Sequence, residues 1–143
     1  MLFRSVSQSR YHFKNLLIWD KKSQGMGDLR TDYGCGYELI CFCTNTKENM
    51  KTLNGHRDNN IIKYARTNNE LHPTQKPIAL FEYLIKKSTK ENDLVLDCFS
   101  GSGTTAIACL GTNRKYICIE KDKIYYQKSL ERVEEYNKQL KLF

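Results

Sequence analysis

Residues 92–105, Asn-Asp-Leu-Val-Leu-Asp-Cys-Phe-Ser-Gly-Ser-Gly-Thr-Thr, constrain this chain more than any other stretch. Leu94 to Leu96 are apolar at consecutive positions, the pattern of a parallel strand covered on both faces. Asp97 ends that strand, at the sheet edge where α/β proteins bind ligands. Gly101 and Gly103 allow a tight turn and a close backbone approach to a ligand. Thr104 and Thr105 suit a helix start, and Ala106 to Leu110 continue it. A strand, an acid, a glycine turn and a helix in that order form a nucleotide cradle and not a mere corner.

The spacing Gly101-x-Gly103-x-x-Ala106 also fits the dinucleotide fingerprint. Lys115-Tyr-Ile-Cys-Ile-Glu120 then reads as a second short strand ending in an acid. A carboxylate at that strand tip accepts hydrogen bonds from ribose hydroxyls. An NAD site and an S-adenosylmethionine site both use such an acid, so these residues alone leave the two open.

The chain has 143 residues, enough for one modest domain. Its formal charge of +7 favours an anionic partner, although solvated lysines produce the same figure. The six cysteines are Cys35, Cys41, Cys43, Cys98, Cys109 and Cys118, with no Cys-x-x-Cys pair. The last three fall in or beside core elements, as reduced buried thiols of a cytoplasmic protein do. Cys35, Cys41 and Cys43 lack zinc-ligand spacing, so no metal site is expected. No secretion signal is expected, and no apolar run is long enough to span a bilayer.

Asn15-Leu-Leu-Ile-Trp-Asp20 reads as a strand, and 21–36 as a loop with a turn cluster at Gln24-Gly-Met-Gly-Asp. Tyr37 to Cys43 is a second strand that can pair antiparallel with the first. Residues 44–71 differ in character, with polar, turn-prone runs at Thr44-Asn-Thr-Lys-Glu-Asn-Met-Lys and Arg57-Asp-Asn-Asn. They carry Lys47, Lys51, Arg57, Lys63 and Arg66 against Glu48, Asp58 and Glu70. That segment is either a solvated surface loop or a basic segment laid on a phosphate backbone. Pro77 suits the first turn of a helix running to Thr89, with a core stripe of Leu80, Phe81, Leu84 and Ile85. A last helix, from Lys123 to about Leu142, has Tyr126, Leu130, Val133, Tyr136 and Leu140 as its buried stripe. Lys128, Arg132 and Lys138 alternate with acids on its exposed face.

Three features together resemble a known family. They are His72-Pro-Thr-Gln-Lys-Pro77, Asp97-Cys-Phe-Ser-Gly-Ser-Gly-Thr-Thr105, and Glu120 at the end of Tyr116-Ile-Cys-Ile-Glu. Their order and spacing resemble the S-adenosylmethionine-dependent DNA methyltransferases that methylate the amino group of adenine or cytosine. The permuted, beta-class arrangement matches best. Cys98 stands where the family's glycine loop usually has proline. The likeness is strong over 71–135 and weaker over 15–45. It implies an α/β fold, an incomplete Rossmann-like methyltransferase sheet with flanking helices. Residues 15–45 would supply late strands, 46–70 the target-recognition loop, and 71–143 the cofactor-binding part of one partial domain. Asp97, Phe99, Gly101, Ser102 and Gly103 would line the methionine and ribose end of S-adenosylmethionine. Glu120 would hold the ribose, and Thr74, Gln75 and Lys76 would close the pocket. Lys47, Lys51, Arg57, Lys63 and Arg66 would meet double-stranded DNA.

The family's catalytic tetrapeptide, D/N/S-P-P-Y/F/W, is absent. The chain has only two prolines, Pro73 and Pro77, and they are not adjacent. No catalytic residue is therefore assigned here. The resemblance implies a C-terminal portion needing a missing N-terminal part, which a second chain would supply. Without the central strands of that part, the strand at 93–97 would expose an apolar edge, which invites association. A remnant or accessory subunit that binds cofactor or DNA without catalysis is the alternative. Adenine is the expected target, and the sequence read on DNA is not legible.

Overall fold

The computed structural model describes residues 11–23, 30–31, 33–45, 53–68 and 71–140. The turn cluster expected at 24–28 lies outside them. The chain divides into two compact units, Met1–Arg66 and Thr67–Phe143.

The first unit is a three-stranded sheet in the order β2-β1-β3. β1 spans His12–Asp20, β2 Tyr37–Thr44 and β3 Ile61–Lys63. β1 and β2 pair antiparallel, with Leu16 opposite Cys41 and Asp20 opposite Tyr37. β1 starts three residues before the expected Asn15, and the register slips between Phe13 and Asn15. β3 lies parallel to β1, with Trp19 opposite Ile62. Trp19 anchors the unit at 2% exposure. Its indole N–H donates to the Tyr64 carbonyl at 2.7 Å, which satisfies the one polar atom of a buried tryptophan. β3 falls within 44–71, a segment whose polar runs point to no strand. Ile61-Ile62 is too short a run to stand out between polar flanks, yet Ile62 is buried at 6% exposure.

The second unit contains α1 (Ile78–Ser88), β4 (Leu94–Asp97), α2 (Thr104–Leu110), β5 (Lys115–Cys118) and α3 (Lys123–Leu140). Pro77 is the N-cap of α1 and not a residue of its first turn. β4 and β5 form a parallel pair, with Val95 opposite Tyr116 and Asp97 opposite Cys118. The turns that lead into the two strands are tied by the Asn92 N–H, which donates to the Asn113 carbonyl at 2.8 Å. Both asparagines have positive φ, 65° and 56°, a conformation their side chains tolerate. Arg114 braces the end of α1, donating from Nη2 to the Thr89 carbonyl at 2.9 Å and from Nε to the Thr89 hydroxyl at 3.2 Å.

The core of this unit is one-sided. Ile85, Ala108 and Cys109 pack with Ile78, Phe81, Val95 and Tyr116, so helices cover the Val95–Tyr116 face of the sheet. Leu80 and Ile107 are 1% exposed. Each large side chain so buried contributes about 1.5–3 kcal/mol. The opposite face is open: Leu94 is 58% exposed, Leu96 60% and Ile117 49%. This corrects the reading of β4 as covered on both faces. β5 is the one strand paired to β4 among the described residues. The open face is an apolar liability of the kind native sheets cover or charge. No helix among the described residues is long and apolar enough to cross a membrane.

α3 also departs from expectation. Tyr126, Leu130 and Leu140 are 40–49% exposed, and no residue of the helix is buried. The partly covered positions are Tyr125, Ser129, Arg132, Val133, Tyr136 and Asn137. Arg132, expected on the exposed face, lies on the covered one. Cys98 is exposed and Cys118 half-buried, whereas Cys109 is buried as expected.

Candidate ligand site at the strand ends

Asp97 ends β4 and organises the turn after it. Its Oδ1 accepts from the Phe99 N–H at 3.0 Å, and its Oδ2 accepts from the Thr105 hydroxyl at 2.5 Å. The acid thus ties the strand end to the first turn of α2. Gly101 (φ 51°) and Gly103 (φ 74°) take the left-handed conformation that glycine adopts without strain. The Gly103 N–H donates to the Ser100 carbonyl at 2.8 Å, and the Ser100 N–H to the Ile119 carbonyl at 3.0 Å. The loop is therefore sewn to the end of β5.

Glu120 follows β5 and reaches back. Its Oε2 accepts from the Gly101 N–H at 2.8 Å, and its Oε1 from the Asp122 N–H at 2.9 Å. These N–H groups, Asp122's first and then Gly101's, hold its carboxyl below the usual carboxylate range against a smaller cost of burial. The Lys121 N–H and the charge of His72 add to the lowering. Asp122 caps α3, its Oδ1 accepting from Ile124 N at 2.8 Å and Tyr125 N at 3.2 Å.

The facing wall is the His72–Pro77 turn. The His72 carbonyl accepts from the Gln75 N–H at 3.0 Å. Gln75 Oε1 accepts from the Leu71 N–H at 3.2 Å, and the Lys76 carbonyl from the Thr104 hydroxyl at 3.3 Å. The His72 ring lies 4.2 Å from the Tyr125 ring, tilted by 58°. It also faces Gly101, where an added Cβ would sit 3.5 Å from it.

Between these walls is a cavity of about 530 Å³. It brings together Thr74, Gln75, Lys76, Asp97, Phe99, Gly101, Ser102 and Glu120 of the residues singled out from sequence. Gly103 does not line it; that residue is the N-cap of α2, pressed against Ser129. Phe99 is 91% exposed at the rim. The sequence reading missed His72, Ser100 and Thr105, which line the same space. The Asp97–Thr105 pair had a signal, an acid followed by a threonine at the helix start. His72 had none beyond its place in the turn. Leu84 and Ser88 of α1 and Leu96 of β4 also line it. Of the basic residues considered for DNA, Arg57, Lys63 and Arg66 are exposed in the first unit. Lys47 and Lys51 lie outside the described residues.

A family model described as DNA methylase, for the N6 and N4 enzymes, matches residues 1–131. The chain belongs to the N6/N4 DNA methylase family. Its fold is accordingly a partial Rossmann-like methyltransferase fold. Over 114 residues the chain is 34% identical to the type II methyltransferase M2.LlaDCHI of Lactococcus lactis subsp. cremoris, covering 80% of this chain and 39% of that protein. Over 73 residues it is 40% identical to the DNA adenine methyltransferase YhdJ of Escherichia coli (strain K12), covering 51% of this chain and 25% of that one. A crystal structure of an M1.HpyAVI-SAM complex matches with a TM-score of 0.76 at 30% identity, over 90% of this chain and 65% of that one. This methylase-family chain thus spans 39% and 25% of the length of these two curated relatives.

Proposed function

We propose that this chain is the donor-binding and target-recognition portion of a DNA amino-methyltransferase, with S-adenosylmethionine as its cofactor. The observation that carries the reading is the cavity framed by Asp97, the glycine loop, Glu120 and the His72–Lys76 turn. Its volume lies within the roughly 300–1,000 Å³ of small-molecule sites. Two carboxylates at successive strand ends suit a ligand with ribose hydroxyls and an amino group. Both are engaged with the loop, Asp97 through the Phe99 N–H and the Thr105 hydroxyl and Glu120 through the Gly101 N–H.

In this reading Glu120 holds the ribose. Asp97, Phe99, Gly101 and Ser102 line the methionine and ribose end, and Gly103 sets the turn. Thr74, Gln75 and Lys76 close the opposite side. When bound, the cofactor supplies a methyl group activated on sulfonium. Residues 15–45 contribute late strands, 46–70 the target-recognition segment and 71–143 the donor site. Lys47, Lys51, Arg57, Lys63 and Arg66 neutralise DNA phosphates. The likeness to an adenine methyltransferase supports adenine as the target base. A DNA substrate places the work in the cytoplasm.

The missing Pro-Pro tetrapeptide, with β4 paired on one side only among the described residues and Leu94 and Leu96 exposed, supports a fragment reading. Those groups await strands that carry the tetrapeptide, from a second chain or from more of the same polypeptide. The test is transfer of tritium-labelled methyl from S-adenosylmethionine to duplex DNA. The 143-residue chain is assayed alone and joined to the N-terminal part of a related methyltransferase. Transfer only in the joined protein is expected. Transfer by the chain alone refutes the dependence on a tetrapeptide. No transfer in a folded, joined protein leaves the non-catalytic reading as the better one.

A further inference from the structure

α3 has no buried apolar stripe, yet it lies close against the glycine loop. Arg132 makes the central contact. Its Nη1 donates to the Ser102 carbonyl at 2.9 Å, and approaches the Ser102 hydroxyl and the Thr104 hydroxyl at 3.3 Å each. Burial lowers its pKa, and no carboxylate pairs with it among the described residues. A half-buried guanidinium on three neutral oxygens costs desolvation that an ion pair would offset. Its position is thus explained by what it holds. One turn earlier Ser129 touches the place where a Gly103 Cβ would be, at 3.0 Å. One turn later the Tyr136 hydroxyl lies 2.8 Å from the corresponding position at Gly111. Earlier still, Tyr125 packs on His72, across the cavity wall. Tyr125, Ser129 and Arg132 of α3 therefore bear on the two walls of the site, and Tyr136 on the far end of α2.

We propose that Arg132 is a positioning residue that holds the Ser102–Gly103 peptide in its ligand-ready orientation. Through it, docking of α3 and occupancy of the cavity are coupled. The coupling rests on the cofactor reading above; the positioning of the loop does not. Linkage makes the coupling reciprocal, so a bound ligand steadies α3 as much as a docked α3 favours the ligand. The helix is suited to this because it has little apolar burial of its own to fix it.

The experiment compares the whole chain with Arg132→Met, Arg132→Lys and, as a control on the same helix, Lys138→Met. Amide exchange is read by NMR without ligand, then with S-adenosylmethionine, whose affinity is measured by calorimetry. In Arg132→Met the Gly101 and Gly103 amides should exchange about tenfold faster, as expected for loss of hydrogen bonds from a charged donor. The Ile119 amide, which donates to the Asp97 carbonyl at 2.8 Å in the ladder, should keep its rate. Affinity should fall about tenfold, with part restored in Arg132→Lys and none lost in Lys138→Met. Ligand should slow exchange across residues 133–140 in the unaltered chain and not in Arg132→Met. Unchanged Gly101 and Gly103 rates in Arg132→Met overturn the positioning role. Equal acceleration at Ile119 overturns it too, since the residue would then be merely structural. Loop rates that change in a chain that never binds the cofactor refute the cofactor reading and leave the positioning standing.

Discussion

Three glycines of the second unit respond differently to the same added methyl group. At Gly103 alanine meets two penalties. Its φ of 74° lies in the left-handed region, which costs a residue with a Cβ about 1–2 kcal/mol. Its Cβ would also sit 3.0 Å from Ser129 Cβ and 3.5 Å from Ser129 Cα, in the body of α3 and not at a flexible tip. Overpacking of that kind adds about 1–3 kcal/mol. At Gly101 only the first penalty applies, since the nearest atom, on the His72 ring, is at an ordinary 3.5 Å. At Gly111 φ is −66°, so the backbone is unstrained. The crowding atoms are Tyr136 Oη at 2.8 Å and Glu82 Oε1 at 2.9 Å, both ends of side chains that can swing away. There the entropy gain of Gly→Ala, about 0.4–1 kcal/mol, roughly balances the shift. The expected losses are therefore about 2–5, 1–2 and near 0 kcal/mol for Gly103→Ala, Gly101→Ala and Gly111→Ala. Urea unfolding followed by circular dichroism measures them as changes in midpoint at constant slope. A Gly111→Ala loss equal to that of Gly103→Ala would mean that neither φ nor the rigidity of the neighbour decides the cost.

Glu120 should titrate below the ordinary carboxylate value of 4.5, since backbone N–H groups favour its charged form. A depressed pKa contributes stability that is present above 4.5 and lost as pH falls through the folded value. The Gly101 amide shift, which reports on the acceptor, should therefore move only below pH 4.5; a midpoint at or above it contradicts the geometry. Burial pushes the Cys109 thiol up to about 11 and the Cys118 thiol to about 12, from 9.0. Both favour the neutral thiol in the fold, so stability should decline as pH rises above 9. At pH 8 a thiol reagent should label Cys35 and Cys98 quickly in the native chain and spare Cys109 until denaturant is added, as mass spectrometry of tryptic peptides would show.

The glycine loop and its flanking elements were legible because local chemistry sets them. Leu94–Leu96 must be extended, Gly101 and Gly103 must turn, and Thr104 onward must wind. The β1–β2 pairing was legible from two apolar runs across a polar loop. β3 was not, since Ile61-Ile62 gains its meaning only from Trp19 and Ile18 beside it in the sheet. α3 misled for a different reason. Hydrophobic periodicity finds the face a helix would bury in an apolar core, here Tyr126, Leu130 and Leu140. The helix instead offers Ser129, small enough to meet Gly103, and Arg132, whose hydrogen bonds replace burial. Close approach to a glycine loop selects for those residues, and a hydropathy pattern does not register it. The exposure of Leu94 and Leu96 likewise reflects what lies beside the sheet and not the strand's own sequence. His72 was passed over because one histidine in a turn is silent until Gly101, Tyr125 and Glu120 gather round it.

The Asp97–Glu120 cavity is proposed to hold a methyl donor. Calorimetric titration of the 143-residue chain with S-adenosylmethionine, with Glu120→Gln and with NADH as comparisons, tests it most directly. Saturable one-site binding is predicted for the unaltered chain. Affinity should be about tenfold lower in Glu120→Gln, as a charged acceptor is lost, and NADH should not compete. A chain shown by circular dichroism to be folded that fails to bind S-adenosylmethionine, or that binds NADH instead, would contradict the account.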